Sequence, residues 1–500
     1  VTIIGEGYFE KLFKMGAAWQ GWMRNAVVEA LANDGFLLDQ EAEEFILGQP
    51  SPLQFARQAI SQLPYQPLVV TMRDLRTVVR VEAPRLETVP RQEPLPSRRL
   101  GEVEVLKDIT SRSDCLATVE GFARYFQDRF ASLRALLLRR RDMLGAISIQ
   151  RAMDPRKLQA DEVKVIGMVN EVRETRSGER IVELEDDTGR MTVMVPKDSK
   201  AAKDSILQDE VVGAVGRMAR KDRKLILKDL IRPDVPFGSG MEVTDSTAQV
   251  AFMSDVHVGS NTFLEGRWQS MMAWLKEEAD ELDIRYIVIP GDCVDGVGVF
   301  PDQEEELVIE DIIDQYRALA EKLKEVPDGI RIVMQPGNHD MVRPAEPQPA
   351  LGEEAARLFD SSILQVGNPA YLRIEGRTIL SYHGKSFDDL MSGIKGLSYS
   401  QPIKAMEEML KRRHLAPAYG GKTPFAPERR DYLVIDEVPD IFVTGHVHGA
   451  GVSFYNGVRL INASTWQDQT SYQRRLNFVP EPAKLTLVHL GTGRPAVAEF

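Results

Sequence analysis

Five of the seven histidines in this 500-residue chain fall inside five short polar signatures: MSDVHVG (253–259), GDCVDG (291–296), GNHD (337–340), SYHG (381–384) and GHVHG (445–449). His257, His339, His383, His446 and His448, with Asp255, Asp292 and Asn338, make an oxygen-and-imidazole donor set without a thiolate. Such donors suit divalent manganese, iron or zinc, and a two-cation cluster ~3.5–4 Å across needs about this many of them. The D-x-H and H-x-H spacings are those of alternate residues in an extended segment, whose side chains point the same way. The glycines let the backbone turn sharply beside the ions. Taken singly, each signature reads as a turn and cap; five in order concentrate the histidines in a way that packing and solubility do not explain.

Each signature follows an apolar run, at 249–253, 286–289, 330–334, 378–382 and 441–443, and helical segments near 264–281, 302–325 and 401–413 alternate with these runs. That alternation predicts an α/β sheet covered by helices, with ligand loops gathered at the carboxyl ends of the strands. Upstream, EVKVIGMVNEV (162–172), RIVELED (180–186), RMTVMVP (190–196), EVVGAVG (210–216) and KLILKDL (224–230) read as five strands. Three strands, a short helical segment and two more is the order of an OB-fold barrel. Its last hairpin carries Arg217, Arg220, Lys221, Arg223 and Lys224 against one Asp, either a solvated tip or a phosphate-contacting patch. Val119 through Leu137 repeat apolar residues at helical spacing. Apolar residues from Trp22 to about Leu63 (Met23, Val27, Leu31, Phe45, Ile46) do the same more loosely, broken by the NDG at 33–35. Prolines 84, 90, 94 and 96 among charges favour a semi-extended linker. The expected organisation is a helical module over 1–75, a linker over 76–104, a helical connector over 105–150, a barrel over 151–236 and an α/β domain over 237–500.

With 43% hydrophobic residues and ~150 residues per domain, about three domains are expected. A net charge of -13 argues against indiscriminate coating of nucleic acid and leaves room for local contact. Cys115 and Cys293 sit in no metal or disulfide spacing, which fits a reducing compartment. No apolar run approaches the ~20 residues of a bilayer span, and the start VTIIGEGYFEKLF lacks a secretory profile, so a cytoplasmic location is expected. Processing, truncation or a non-Met start codon would each explain the leading Val1.

The ordered set resembles the calcineurin-like metallophosphoesterase superfamily, whose motifs run D-x-H, GD, GNH[DE], a lone H and GH-x-H. The resemblance implies a metallophosphoesterase sandwich in which Asp255, His257, Asp292 and His448 hold one cation and Asp292, Asn338, His383 and His446 a second. Asp292 would bridge them, and His339 would be the catalytic acid. The two divalent ions would be Mn2+, with Fe2+, Zn2+ or Mg2+ as alternatives. GDCVDG also resembles the GDxVDRG motif of Ser/Thr phosphatases, which makes Asp295 the residue orienting His339, with Asp340 as its rival. Gly296 stands where those phosphatases carry a phosphate-binding Arg, which argues against a phosphoprotein substrate.

An OB-like domain directly before this domain resembles the B-subunits of replicative DNA polymerases. IVELEDDTGRMTV (181–193), HLAPAYGGKTPFAPE (414–428) and SYQRRLNFVPEPA (471–483) are similar to the archaeal family-D small subunits over about 105–490. That resemblance implies a proofreading 3′-5′ exodeoxyribonuclease partnered by a large polymerase subunit and acting on single-stranded or mismatched 3′ ends. The eukaryotic B-subunits have lost the metal residues and act as scaffolds, so a scaffold remains the alternative, as does a free-standing phosphatase or phosphodiesterase. QRRLNFVP (473–480) is a poor sliding-clamp box, because Val479 and Pro480 stand where two aromatics belong, so contact with a clamp is expected to be indirect. His414 is expected at the rim of the site and His489 in the structure of the domain.

Overall fold

The computed structural model of the chain describes residues 100–154, 162–219, 223–238 and 241–500 continuously, and before these only 28, 31, 36–38, 42, 43, 46, 52–61, 69 and 70. The chain divides into two compact units at Leu95/Pro96. In the first, β1 (Leu37–Leu38), α1 (Pro52–Ser61) and β2 (Val69–Val70) are described, with β1 parallel to β2. Leu31, Ala42, Ile46, Ala56, Ala59, Ile60 and Val70 form its small apolar cluster. The rest of the expected helical module, including Trp22, Met23, Val27, Phe45 and the NDG at 33–35, and residues 76–99 of the expected linker lie outside the described residues.

The second unit begins with β3 (Val103–Lys107), where the sequence reading placed the end of a linker and the start of a helical connector. Its partner is a strand more than 260 residues away, so no local signal marks it. After it come α2 (Val119–Leu138), capped by the Thr118 side chain on Gly121 N, and α3 (Ile149–Met153). β4 (Val163–Glu174), β5 (Arg180–Asp186), β6 (Gly189–Val195), β7 (Val211–Met218) and β8 (Leu225–Ile231) close into a small five-stranded barrel in the order β4-β5-β6-β8-β7. Alternate residues such as Val163, Val165, Val182, Leu184, Met191 and Val193 fill its interior, as a period of two requires.

The remainder is a two-sheet sandwich. Its elements are β9 (Gln249–Phe252), α4 (Glu265–Glu278), β10 (Ile284–Pro290), α5 (Ile312–Leu323), β11 (Arg331–Gln335), α6 (Glu353–Ala356), β12 (Leu364–Gln365), β13 (Ala370–Ile374), β14 (Arg377–Ser381), α7 (Phe387–Gly393), α8 (Pro402–Arg412), β15 (Ile441–Thr444), β16 (Ala450–Tyr455), β17 (Val458–Ala463), α9 (Ser471–Arg475), β18 (Lys484–His489) and β19 (Pro495–Glu499). One sheet runs β12-β11-β10-β9-β18-β19 and the other β16-β17-β15-β14-β13-β3. Val250, Phe252, Tyr286, Val288 and Val333 face Leu372, Ile379, Ile441, Val443 and Ile461 between the sheets. The outer face of the first sheet takes Trp268, Met271 and Leu275 of α4 and Tyr316 and Leu319 of α5. The other outer face takes Ala405, Met406, Met409 and Leu410 of α8. Because both faces of each sheet are covered, β9, β10 and β15 are continuous apolar runs rather than alternating ones.

Helix α2 joins the barrel to the sandwich. Leu133 and Leu137 pack on Ile166, Met168 and Val211 of the barrel, while Tyr125 and Arg129, fully buried, reach the segment after α8. There Arg129 Nε donates to Asp431 Oδ2 at 2.8 Å and its guanidinium also donates to the Pro417 carbonyl. Tyr125 donates to the other carboxylate oxygen at 2.8 Å, and His414 Nε2 lies 2.8 Å from Asp431 Oδ2. His414 is therefore a buried structural residue and not part of the site rim. Burial, with the charge of Arg129 adding to it, depresses His414 to about 4.

Candidate metal centre

The five signature loops follow β9, β10, β11, β14 and β15 and meet at one end of the sandwich, three from one sheet and two from the other. Asp255, His257, Asp292, His446 and His448 all adopt left-handed φ between 46° and 68°. L-residues adopt this conformation at a cost of ~1–2 kcal/mol each, so the surrounding packing must impose it. Gly337 has no such latitude for replacement: a Cβ there would stand 2.2 Å from Asp292 Oδ1.

Three groups of potential ligands converge: Asp255, His257 and His448; His257, Asp292 and His339; and Asp292, His383 and His446. His257 Nε2 and His448 Nε2 face each other at 3.0 Å, and His448 Nε2 lies 3.4 Å from Asp255 Oδ1. Asp292 Oδ2 lies 3.2 Å from His383 Nε2, and Asn338 Oδ1 is 3.1 Å from that same nitrogen. Asp292 Oδ1 accepts from His339 N at 2.9 Å, and both Asp255 oxygens accept from His446 N.

Hydrogen bonds fix which nitrogens face the centre. His383 Nδ1 lies 3.0 Å from the Pro290 carbonyl, which can only accept, so Nδ1 carries a proton and Nε2 is the nitrogen directed into the site. His257 Nδ1 is likewise 3.0 Å from Asp295 Oδ1, leaving its Nε2 lone pair aimed at the centre. Asp255 and Asp292 are fully buried carboxylates whose nearest ionisable neighbours are imidazoles rather than Lys or Arg. Imidazole nitrogens directed inward, buried carboxylates and an amide oxygen around one point fit divalent cations.

The electrostatics follow from the same arrangement. Burial pushes the Asp292 carboxyl up, but His383, His339 and His257 outweigh it and hold it well below the ordinary carboxylate value. Burial would lower His383, yet Asp292 and Asp255 raise it to about 9. Burial dominates at His257 and lowers it. Asp340, buried beside Asp292, is pushed up to about 6.

Neither expected carboxylate orients His339. The Asp295 carboxylate serves His257 and accepts from Gln303 and Gln467 Nε2, at 2.8 and 2.9 Å. It is the Asp295 main-chain carbonyl that meets His339 Nδ1, at 2.6 Å. Asp340 instead accepts from Cys293 N, Gly337 N and the Tyr316 hydroxyl, so it holds the two loops together. Sequence reasoning also missed Gln303, Gln467, Gln473 and Asp388. Gln473, in the segment weighed as a clamp box, lies on α9 with its amide 2.9 Å from His448 Nδ1. The Asp388 carboxylate, held by Lys385 and Tyr399, lies 3.7 Å from His446 Nε2. These partners lie outside the five signatures and carry no local motif; only the T-x-x-Q spacing of the α9 capping box was there to be read. Of the expected basic tip, Arg217 is the last but one residue of β7 and Arg223 and Lys224 precede β8, away from these loops in sequence, while Arg220 and Lys221 lie outside the described residues.

The profile of the calcineurin-like phosphoesterase family matches residues 248–450, the stretch that supplies all five loops. A DNA polymerase II small subunit from Archaeoglobus fulgidus is 45% identical over 398 residues, covering 78% of this chain and 79% of that protein. The chain belongs to the archaeal DNA polymerase II small-subunit family. Small subunits from Thermoplasma acidophilum, 41% identical over 77% of this chain and 78% of theirs, and Methanothermobacter thermautotrophicus, 38% identical over 93% and 98%, extend the likeness. As a small subunit with a metallophosphoesterase domain, the chain is expected by family to take divalent ions, and its His/Asp groups are of the type that binds them. Among the described residues no helix is long and apolar enough to cross a membrane.

Proposed function

We propose that this small subunit is the proofreading 3′-5′ exodeoxyribonuclease of a two-subunit DNA polymerase whose synthetic activity resides in a large subunit. The observation that carries the reading is that two candidate ligand groups share Asp292, one with His383 and His446 and one with His257 and His339. Asp255, His257, Asp292 and His448 would hold one cation and Asp292, Asn338, His383 and His446 the second, manganese being the first choice. When bound, two such ions supply an activated water and neutralise charge developing on the phosphate.

The chain's own residues do the rest. His339 donates Nδ1–H to the Asp295 carbonyl, so in its protonated form Nε2–H faces the site, 3.8 Å from Asp292 Oδ2. Attack of hydroxide on the terminal phosphodiester breaks the bond from phosphorus to the 3′-oxygen. That oxygen takes the His339 proton, giving a nucleoside 5′-monophosphate and a strand shortened by one residue. We take the closed five-stranded barrel to be an OB fold, a scaffold suited to single strands, with Arg217, Arg220, Lys221, Arg223 and Lys224 as its phosphate contacts.

The test is excision from a 3′-mismatched primer with added manganese, with and without the large subunit. Release of the mismatched nucleotide that depends on this chain supports the reading. Normal synthesis by the complex with no excision would leave a scaffold.

A further inference from the structure

Beside His339 stands an aromatic pair that the hydrolytic chemistry does not use. Phe300 and Tyr472 stack with ring centroids 5.4 Å apart and planes at 28°, and Phe300 is 6.4 Å from the His339 ring. Tyr472 keeps 41% of its surface open, and Val297 and Val299 are exposed on the same loop. An open aromatic face is costly in water unless something covers it.

Both rings are held by the site itself. The Phe300 loop is pinned by Gln303, which accepts from Val299 N and donates to the Asp295 carbonyl and carboxylate, the groups that orient His339 and His257. Tyr472 sits on α9, whose Gln473 contacts His448 and whose Ser471 N donates to Glu306 at the end of the Phe300 loop. The Asp302–Arg475 ion pair ties the same two segments. Arg474, exposed beside Tyr472, adds positive charge suited to a phosphate backbone.

We infer that Phe300 and Tyr472 form a stacking platform for the bases of a DNA single strand, on the side of the scissile phosphate that keeps the 3′-oxygen. This rests on the nuclease reading: His339 gives its proton to the leaving oxygen, so what lies next to His339 lies next to the retained strand. Stacking is indifferent to base identity, as a proofreading site requires, and it needs a base freed from its pair. The platform therefore selects frayed or mismatched ends over paired ones.

The experiment uses the full chain in its complex and single-stranded oligonucleotides with 2-aminopurine at either of the last two retained positions. Wild type is expected to quench the fluorescence on binding. Tyr472→Ala and Phe300→Ala should lose most of the quenching and weaken binding ~5- to 100-fold. Tyr472→Phe should behave as wild type, and metal content together with circular dichroism should show the alanine variants folded. Bright 2-aminopurine in the wild-type complex, or quenching unchanged in both alanine variants, overturns the platform whether or not the strand is cut. Excision is measured in parallel: quenching without excision leaves the two rings as a stacking surface for single strands but removes the nuclease reading and with it the placement relative to a scissile phosphate.

Discussion

Asp292 belongs to two of the three ligand groups, and its two oxygens meet His383 Nε2 and His339 N. Replacing it by Asn keeps the shape but removes the negative charge that the two proposed cations would share. Asp292→Asn should lose phosphodiester cleavage and bound metal together, read by nuclease assay and elemental analysis; full metal content with full activity would dissolve the proposed cluster. His339 separates from it. Its Nδ1 is satisfied by a carbonyl, so His339→Ala should retain metal and slow cleavage by ~10²–10⁴-fold. Loss of both metals would make it a ligand instead. The Asp and His residues that gather at the centre were legible as types and spacing, because each lies in a short loop after an apolar run. What they orient was not: Asp295 divides its work between carboxylate and carbonyl, a distinction that depends on where the next loop passes.

Helix α2 shows what one element contributes beyond its amphipathic pattern. That pattern predicts the helix but not that Arg129 is buried against Asp431 across some 300 residues. Removing one partner of such a pair strands a buried charge, so Asp431→Asn should cost ~3–5 kcal/mol in urea unfolding. His414 adds a pH dependence. Its folded value of about 4 lies below the ordinary 6.5, so the stability held by the neutral ring is complete above about 6.5 and is lost as pH falls through about 4. Unfolding free energy should therefore drop between pH 6.5 and 4 more steeply in wild type than in His414→Gln; parallel curves would assign the drop elsewhere. The barrel strands were readable because each pairs with a near neighbour in sequence. β3 was not, since its pairing with β13 is made by tertiary contact and VEVLK offers no clean alternation.

For the two-subunit enzyme, the proposed division of labour is testable in one variant. His448→Ala in the complex should abolish excision of a 3′-mismatched nucleotide and leave primer extension unchanged; excision at the normal rate would place the exonuclease on another chain. The origin of the centre in both sheets has a further consequence, one of mass action. If the proposed cations are held by three loops from one sheet and two from the other, they bind only where the sandwich is closed, and free metal concentration then becomes a determinant of the folding equilibrium. At 100 times its dissociation constant a ligand of the native state adds about 2.7 kcal/mol. Chelation should lower the melting temperature in proportion to metal removed, and restored manganese should raise it again; a melting temperature indifferent to both would mean the sheets close without help from the ions.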